Sequence, residues 1–565
     1  MKTSVMQRLA VLLVSVVLVS GLAACAPSAG PAQPAVQEPA AEGQAPAAPT
    51  AKKVTTFIWT QEPDNLNPMY TSMWFSTITQ EIWLCEPWVF DDNDEPQVVL
   101  LTEMPSIANG GISEDGKTIT LKLRDGIVWS DGEPITSADF AFTKEMFTEP
   151  ANTVNSTYPY DLITSLETPD EQTVVVSFAE PFVAWSGALY TELLPEHVLR
   201  PVFEAKGSLV GAEWNRAPTV GCGPYTFAEW ESGSYMRFVR NNNYYGEAPK
   251  IDEIFLRMVP DDASQVAALR TGEGDLGTFF SYSDMPTLEK AGVQIIMAPS
   301  GYQEGWYFYL GDDGHPALKD VKVRQAIALC FDRFSVVKDL LLDETEVAAS
   351  FWHNSPWQDA TLQAWPYEPD QGNALLDEAG WMDSNGDGVR DKDGVELVLT
   401  HGTTTREVRA DTQAVAQQQL AECGIKLNIV GYASDVFFLS FGEGGPMPSG
   451  DLDIFQFSGN TAYPDPNTSR FRCGEIPTEE FPEGTNDQRL CDEDLEALFA
   501  LQETQVDIDA RQDTFHKISR HMTDNVYWLG VWYDPDAFGV SARLTNVKIS
   551  GANPFFNITE WDLVR

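Results

Sequence analysis

Apolar and polar residues alternate in several short stretches of the chain. In 118–123 (TITLKL) and in 254–258 (IFLRM), every second residue is Ile, Leu or Met. A period of two is typical of strands that have one face buried. We therefore predict half-buried strands in both segments.

Other stretches follow a helical period. Apolar residues recur at spacings of three and four at Val323, Ile327, Cys330, Phe334, Val337 and Leu341. This spacing predicts one amphipathic helix with these residues on its apolar face. A second helix is predicted over 406–422 with its end at Gly424, and a third ends at Gly380, because glycine commonly terminates helices. No repeat of solenoid length is present. The body is therefore predicted to be mixed α and β.

Residues 1–24 have the organisation of a secretory signal. Two basic residues precede the apolar run 9–19, which is too short for a bilayer core that needs roughly 20 residues. The run leads into Leu-Ala-Ala-Cys at 22–25, which resembles a bacterial lipobox. We predict cleavage before Cys25 and lipidation of its thiol, since two acyl chains anchor a protein stably. An ordinary signal peptide, cut at an Ala-x-Ala site, is the alternative.

The next segment cannot form a core. Residues 26–51 contain ten Ala and six Pro, and Val36 is their only large aliphatic residue. Such a composition favours an extended tether. We assign 25–53 to the lipidated cysteine and this tether, and we expect the folded body to begin near Val54.

The charge of the chain excludes some partners. The sequence has 36 Lys and Arg against 84 Asp and Glu, which gives a formal net charge of -48. An acidic surface repels phosphates, so we expect neither nucleic acid nor anionic lipid headgroups as partners.

Signatures of built-in catalytic chemistry are missing from the sequence. The six histidines never form HExxH, and no two cysteines have CxxC spacing. The sequence GEGDLG at 272–277 fits a dinucleotide motif, but it follows a helix-like stretch and places carboxylates where phosphates would sit. We expect no cofactor. A hydrolase that uses a pair of carboxylates stays as the alternative class, although no pair stands out.

Six cysteines remain once Cys25 is assigned to lipid. Cys473 and Cys491 flank a loop with little apolar material, and we predict a disulfide between them, with two free thiols as the alternative. Cys330 lies on the apolar helical face and is predicted to be a buried free thiol. Cys85 and Cys222 could pair if the strands they precede are neighbours, and Cys423 has no assignment.

One acidic stretch resembles a calcium loop. Oxygen-bearing residues alternate around glycines in 383–391 (DSNGDGVRD), and the candidate ligands are Asp383, Asn385, Asp387 and Asp391. The twelfth position is Gly394, where the motif needs a bidentate glutamate. A hairpin turn rich in Gly and Asp is the preferred interpretation.

A family resemblance rests on a long motif. Residues 123–140 (LRDGIVWSDGEPITSADF) resemble the signature of the family 5 extracellular solute-binding proteins, the peptide- and nickel-binding group of bacterial ABC importers. Further segments match in the family's order, and these are 62–63 (EP), 66–68 (LNP), 194–197 (LPEH), 221–225 (GCGPY), 240–241 (RN), 244–246 (YYG), 323–327 (VRQAI), 332–333 (DR), 375–381 and 463–466 (YPDP).

The resemblance implies an α/β fold of the periplasmic-binding-protein type II. Two lobes enclose a ligand cleft, and an extra α/β domain is inserted in the first lobe. The implied segments are lobe I at 54–97, 216–312 and 525–565, the extra domain at 98–215, and lobe II at 313–524. The implied role is that of a monomeric receptor, anchored outside the cytoplasm, that delivers solute to ABC permease subunits.

The ligand is less defined than the family. Peptide-binding members place an aspartate before the Tyr-x-Asp/Glu-Pro motif to receive the peptide's ammonium, but this chain has Ala462 there. Asp465 or Glu304 could replace it, although Asp465 is also expected to be structural in an Asp-Pro turn. Peptide is favoured, oligosaccharide stacked on tryptophan is second, and nickel or another small solute is third. The tryptophans considered for stacking are Trp74, Trp83, Trp88, Trp306, Trp352 and Trp357.

The resemblance and the positions of polar and aromatic residues suggest which side chains line the cleft. Arg409 is expected to meet an anionic end of the ligand. The full predicted set is Asn67, Tyr70, Trp306, Trp352, His353, Arg409, Asn460, Thr461 and Tyr463.

Overall fold

The computed structural model describes residues 52–461, 465–482 and 484–564. The predictions for the signal peptide, for Cys25, for the tether up to residue 51 and for Tyr463 lie outside these ranges. Within them, no helix is both long enough and apolar enough to cross a membrane.

Strands and helices interleave along the chain, which confirms the mixed α and β prediction. The strands are β1 Val54–Trp59, β2 Trp88–Phe90, β3 Pro96–Val98, β4 Thr118–Lys122, β5 Ile163–Asp170, β6 Thr173–Phe178, β7 Tyr225–Glu231, β8 Tyr235–Arg240, β9 Glu253–Met258, β10 Leu276–Thr278, β11 Gln294–Ala298, β12 Tyr302–Phe308, β13 Asp391–Lys392, β14 Val395–Glu396, β15 Val398–Thr404, β16 Lys426–Tyr432, β17 Ile454–Asn460, β18 Trp528–Tyr533, β19 Asp536–Val540, β20 Leu544–Thr545 and β21 Asp562–Leu563. The helices are α1 Trp74–Trp83, α2 Ser137–Thr148, α3 Trp185–Ala188, α4 Glu196–Lys206, α5 Asp262–Thr271, α6 Met285–Lys290, α7 Val321–Cys330, α8 Arg333–Leu340, α9 Pro369–Glu378, α10 Glu407–Glu422, α11 Ser434–Phe437, α12 Glu493–Gln502 and α13 Ile508–Asn525.

The largest sheet among the described residues has seven strands in the order β11-β19-β10-β1-β9-β8-β7. β1 is parallel to β9 and β10, and the other pairs are antiparallel. The strand predicted at 254–258 is confirmed as part of β9, in which buried and more exposed residues alternate. Phe57 and Trp59 of β1 are fully buried in the core beneath this sheet.

A smaller antiparallel sheet, β4-β6-β5, lies elsewhere in the chain. Its β4 confirms the strand predicted at 118–123. Helix α2 packs against β5 and begins at a capping box, in which Thr136 N donates to Asp139 Oδ2 at 2.9 Å. Two unpaired helix-end donors are satisfied in this way, which explains why the helix starts here.

A five-stranded sheet has the order β16-β15-β17-β12-β18. β15 is parallel to both of its neighbours, and β12 is antiparallel to both of its own. Helix α10 packs against β15 and β16 and matches the helix predicted over 406–422. The helix predicted to end at Gly380 is α9, and Gly380 has the left-handed φ of +83° that suits glycine.

The single helix predicted across 323–341 is wrong, because two helices are present. Helix α7 ends at Cys330, and α8 begins at Arg333 after Asp332 accepts a hydrogen bond from Ser335 N at 3.1 Å. This new N-cap interrupts the helical phase. Phe334 is consequently 47% exposed rather than part of the apolar face.

The structure contains three disulfides among its described residues. Cys473–Cys491 confirms the predicted bridge, and Cys85–Cys222 settles a pairing that the sequence left open. The prediction that Cys330 is a free thiol is wrong, because it is bonded to Cys423. Burial on the helical face was correctly predicted, but Cys423 at the end of α10 comes within bonding distance only after α7 and α10 pack together.

The three sheets use different stretches of chain. The predicted boundaries place 302–308 and 528–533 in the first lobe, yet β12 and β18 belong to the five-stranded sheet. The chain therefore passes between the two large sheets at 299–301 and at 534–535. The division into lobes stays a prediction, with its crossing points moved to these two connections.

Candidate functional site

Two short connections join the two large sheets. One runs from β11 to β12 through 299–301, and the other runs from β18 to β19 through 534–535. They lie side by side, because Ser300 N donates to Tyr533 Oη at 2.6 Å and Ser300 Oγ donates to Asp534 O at 2.5 Å. Paired short connections of this kind are suited to act as a hinge between two rigid bodies.

A cavity of about 360 Å³ lies beside these connections. One wall comes from α1 and from 551–559, which belong to the same core as the seven-stranded sheet. A second wall comes from 186–192, and a third from the connections and strand ends, where Tyr302, Asn460 and Asp536 line the space. The cavity thus draws on all three sheet-bearing parts of the chain.

Three glutamates face this cavity. Phe555 N donates to Glu81 at 3.0 Å, Asn553 Nδ2 donates to Glu86 at 2.9 Å, and Thr191 Oγ1 donates to Glu192 at 2.8 Å. Burial raises the pKa of all three carboxyls above the ordinary range, and their mutual repulsion adds to the effect at Glu81 and Glu86. Among the described residues that line the cavity, none is Lys, Arg or His.

A fourth carboxyl lies on the opposite side. Asp536 is the first residue of β19 and lines the cavity beside Tyr302. Burial, followed by repulsion from Asp534, raises the pKa of Asp536 to about 7. The cavity therefore has acidic groups on both sides.

Arg409 is paired inside the protein. Its Nε and Nη2 atoms donate to the two oxygens of Glu304 at 2.8 Å each, and Nη1 donates to Thr404 Oγ1 at 2.9 Å. Gln456 Nε2 also donates to Glu304, at 2.9 Å. Because the charges neutralise each other, neither Arg409 nor Glu304 is available in this arrangement for a ligand's terminal group.

The predicted aromatic site residues lie in the cores. Trp306 is fully buried, donates to Gln456 Oε1 at 2.9 Å and stacks on Phe331 with ring centroids 4.6 Å apart. Trp352 is buried against Phe515. His353 is also buried, and this burial lowers its pKa. The structure does not bring these three side chains to the cavity.

Two other predicted residues support the entry to α1. Asn67 is fully buried, caps the turn 68–70 by accepting from Met69 N at 3.0 Å, and donates to Asn215 Oδ1 at 2.8 Å. Tyr70 packs against the first core. Both residues stabilise the segment that precedes α1 rather than line the cavity.

The end of β17 does reach the cavity. Asn460 lines it, and Thr461 N donates to Gly301 O at 2.6 Å, which ties the strand end to the first connection. Asp465 is partly buried and forms an ion pair with Arg511, at 2.6 Å between Oδ1 and Nη1. This pair is consistent with the structural role expected for Asp465.

Side-chain oxygens of the acidic loop at 383–391 accept hydrogen bonds from groups of the same loop. The Asp383 carboxylate accepts from Gly386 N at 2.7 Å and from Gly388 N at 3.0 Å, while Ser384 donates to Asp391. No group of three His, Cys, Asp or Glu side chains suited to a metal ion occurs in the described part of the chain. These contacts satisfy the loop's own backbone donors, and the preferred interpretation as a hairpin turn stays a prediction.

Sequence reasoning missed the residues that line the cavity most directly. Gln80 and Glu81 were not selected, and Trp74 was considered only for stacking on a sugar ring, although all three lie on α1. One signal was available, since Gln80 and Glu81 stand between the apolar residues Ile78 and Ile82 of the same helix. Glu86, Glu192 and Asn553 carry no local signal, because only the tertiary fold brings them together.

Comparison with known proteins decides the family. Residues 83–473 match the model described as bacterial extracellular solute-binding proteins, family 5 Middle, and this is more than half of the chain. The chain belongs to that family. Its members are solute-binding proteins rather than enzymes, so the hydrolase alternative is set aside.

Individual relatives agree with this assignment. The oligopeptide-binding protein AppA of Bacillus subtilis is 30% identical over 379 residues, which are 65% of this chain and 66% of the relative. Its solved structure in complex with a nonapeptide has a TM-score of 0.68 at 21% identity and covers 91% of this chain and 100% of that one. NikZ of Campylobacter jejuni in complex with Ni(L-His) has a TM-score of 0.70 at 22% identity, with 90% and 99% covered. The fold is that of the type II periplasmic binding proteins.

Proposed function

We propose that this chain is the substrate-binding protein of an ABC importer and that it captures peptides in the cavity beside the two connections. The position of that cavity carries the proposal, because a ligand there contacts both large sheets and can favour their closure. The relative from Bacillus subtilis that is 30% identical is an oligopeptide-binding protein, which supports a peptide ligand.

Oligosaccharide is the second candidate and has weaker support. Six tryptophans were considered for stacking on sugar rings, namely Trp74, Trp83, Trp88, Trp306, Trp352 and Trp357. Only Trp74 of this set lines the cavity, and the other five are at most 5% exposed. A single indole offers little of the stacking surface that a sugar-binding site uses.

The proposed architecture follows the sheets. The seven-stranded sheet forms lobe I, the β4-β6-β5 sheet forms the extra domain, and the five-stranded sheet forms lobe II. We place the ligand against Trp74, Tyr302 and Asn460, with Thr461 at the adjacent strand end. Arg409, Trp306, Trp352 and His353 are assigned to the support of lobe II.

The proposed location is outside the cytoplasm, on the cell membrane. Support comes from the secretory organisation of residues 1–24, from the lipobox-like Cys25 and from the Ala- and Pro-rich tether. A diacylated cysteine would keep the receptor near the permease subunits to which it delivers solute. We propose that it acts there as a monomer.

Native mass spectrometry of the purified full chain tests the ligand class. Masses released on denaturation are expected to be peptides of mixed sequence. A Trp74→Leu variant is expected to retain less peptide, whereas Phe481→Leu, which alters a partly exposed ring in the loop between Cys473 and Cys491, serves as the matched control. Masses spaced by a hexose unit, or a bound metal without peptide, would contradict the proposal.

A further inference from the structure

Three carboxylates in the cavity have no cationic partner. Glu81, Glu86 and Glu192 come from three different segments, and each accepts a hydrogen bond from a neutral donor. None of them takes part in an ion pair among the residues that the structure describes. The three side chains are partly exposed, and carboxylates that repel one another with no cation beside them attract a positive charge from a ligand.

A second observation at the same site points to a ligand. Gln80 is only 1% exposed and lines the cavity next to Glu81. Its Nε2 donates to Leu66 O at 3.3 Å, but its Oε1 has no hydrogen-bond partner. A buried amide oxygen without a donor is energetically unfavourable, and it needs an N–H or O–H group within the cavity.

Both observations specify the same chemistry. The carboxylates need positive charge, and Gln80 Oε1 needs a hydrogen-bond donor. An alkylammonium or a guanidinium supplies both, and a bare metal ion supplies only the first. The three glutamates also do not form a metal-ligand group within the described residues. The indole of Trp74 lines the same cavity and can face an organic cation.

We infer that Glu81, Glu86, Glu192 and Gln80 form a subsite for an organic cation with N–H donors, so that the receptor selects ligands with an ammonium or guanidinium group. This inference rests on the proposed function and narrows it to basic solutes. The cation can belong to a basic side chain of a peptide, to a peptide's N-terminal amine, or to a free polyamine. The four residues lie on α1, shortly after it and in 186–192, whereas Asn460 lines a different wall of the same cavity.

Calorimetric titration of the full chain with matched pentapeptide pools tests the inference. The pools share one fixed position, which is lysine, norleucine or glutamate, and each pool is made with a free or an acetylated N-terminus. The lysine pool is expected to bind at least about tenfold more tightly than the norleucine pool. Preference for a free N-terminus without preference for lysine would assign the subsite to the terminal amine. Spermidine tests the free polyamine.

Charge-neutral variants locate the preference. Glu81→Gln, Glu86→Gln and Glu192→Gln keep the side-chain shape and are each expected to reduce the lysine preference. Glu204→Gln removes an exposed carboxylate of α4 outside the cavity and is expected to leave the lysine preference unchanged. Thermal unfolding of each variant shows whether it is folded, and the comparison of pools on the unaltered chain does not depend on any variant.

The outcomes separate this inference from the proposed function. Equal binding of all pools would overturn the cation subsite and leave the peptide receptor standing. Binding of spermidine with no peptide bound would support the subsite and overturn the peptide proposal. Binding of nickel alone, with no organic cation bound, would overturn both.

Discussion

Arg409 and Glu304 form a two-pronged ion pair at the five-stranded sheet, with both nitrogen-to-oxygen distances at 2.8 Å and no exposed surface on Glu304. The guanidinium of Arg409 joins the start of α10 to β12, and Gln456 of β17 donates to the same carboxylate. The predicted role of Arg409, contact with an anionic ligand end, is thus replaced in this arrangement by an internal contact. Removing either partner should strongly lower the free energy of unfolding, because the other charge stays buried without a counter-charge.

Glu304→Gln is expected to lower the free energy of unfolding by about 3 kcal/mol, because it leaves the buried guanidinium without a counter-charge. Glu273→Gln is the matched control, since Glu273 forms an exposed pair with Arg257 at 3.4 Å. That change should lower stability by less than about 1 kcal/mol. Urea unfolding of both variants measures the difference, and equal losses would show that the buried pair has no special weight.

The pKa of Asp536 predicts how stability depends on pH. Burial and the neighbouring Asp534 raise this pKa to about 7, so the folded protein holds a proton that the unfolded chain releases near its ordinary value of 3.8. The folded state therefore loses stability as pH rises from about 3.8 to about 7. Below that window the group imposes no penalty.

Asp536→Asn removes this penalty. Relative to the unaltered chain, the variant is expected to gain on the order of 2 kcal/mol of unfolding free energy at pH 8 and little at pH 4. Asp524→Asn, an exposed change at the end of α13, controls for the loss of one negative charge. A gain for Asp536→Asn that is the same at both pH values would contradict the assigned pKa.

The sequence predicted those parts of the fold that depend on local pattern. Alternation was sufficient for β4 and β9, and a terminal glycine was sufficient for α9 and α10. The prediction from helical periodicity was wrong at Asp332. This residue caps a new helix, but in the sequence it looks like another polar position of one continuous helix. Cys330 was placed correctly as buried, but its bond to Cys423 depends on the packing of two helices far apart in the chain.

The cavity was harder to predict than the fold. Asn460 was selected because it is close in sequence to the family motif at 463–466, and it does line the cavity. Trp306 was selected because tryptophan near a crossing suits a ligand, yet the same residue type also fills cores. Glu86 and Glu192 are 106 positions apart in the sequence, so only the tertiary fold reveals that both line one cavity.

The disulfides predict an order of stabilities. In the chain-entropy model, a bridge that closes a longer loop restricts the unfolded chain more strongly. Cys330–Cys423 spans 93 residues and Cys473–Cys491 spans 18. Replacing the first pair by alanine should lower the unfolding free energy by about 4.5 kcal/mol, and replacing the second pair by about 3 kcal/mol. Denaturant unfolding without reductant measures both, and the reverse order would contradict the chain-entropy account.

Gly551 provides a test of the contact between the cavity wall and the first connection. A Cβ atom at this position would lie 1.7 Å from Pro299 O and 2.6 Å from Pro299 C, so Gly551→Ala must displace either the wall at 551–559 or the connection at 299–301. Because both segments adjoin the cavity, the variant is expected to bind the preferred peptide pool at least about tenfold more weakly, with a lower unfolding temperature. Gly474→Ala is the matched control, since a Cβ there meets nothing within 4 Å. If Gly551→Ala binds as tightly as the unaltered chain, the connection must move away from 551–559 when ligand is bound, and the contact belongs to the ligand-free arrangement alone.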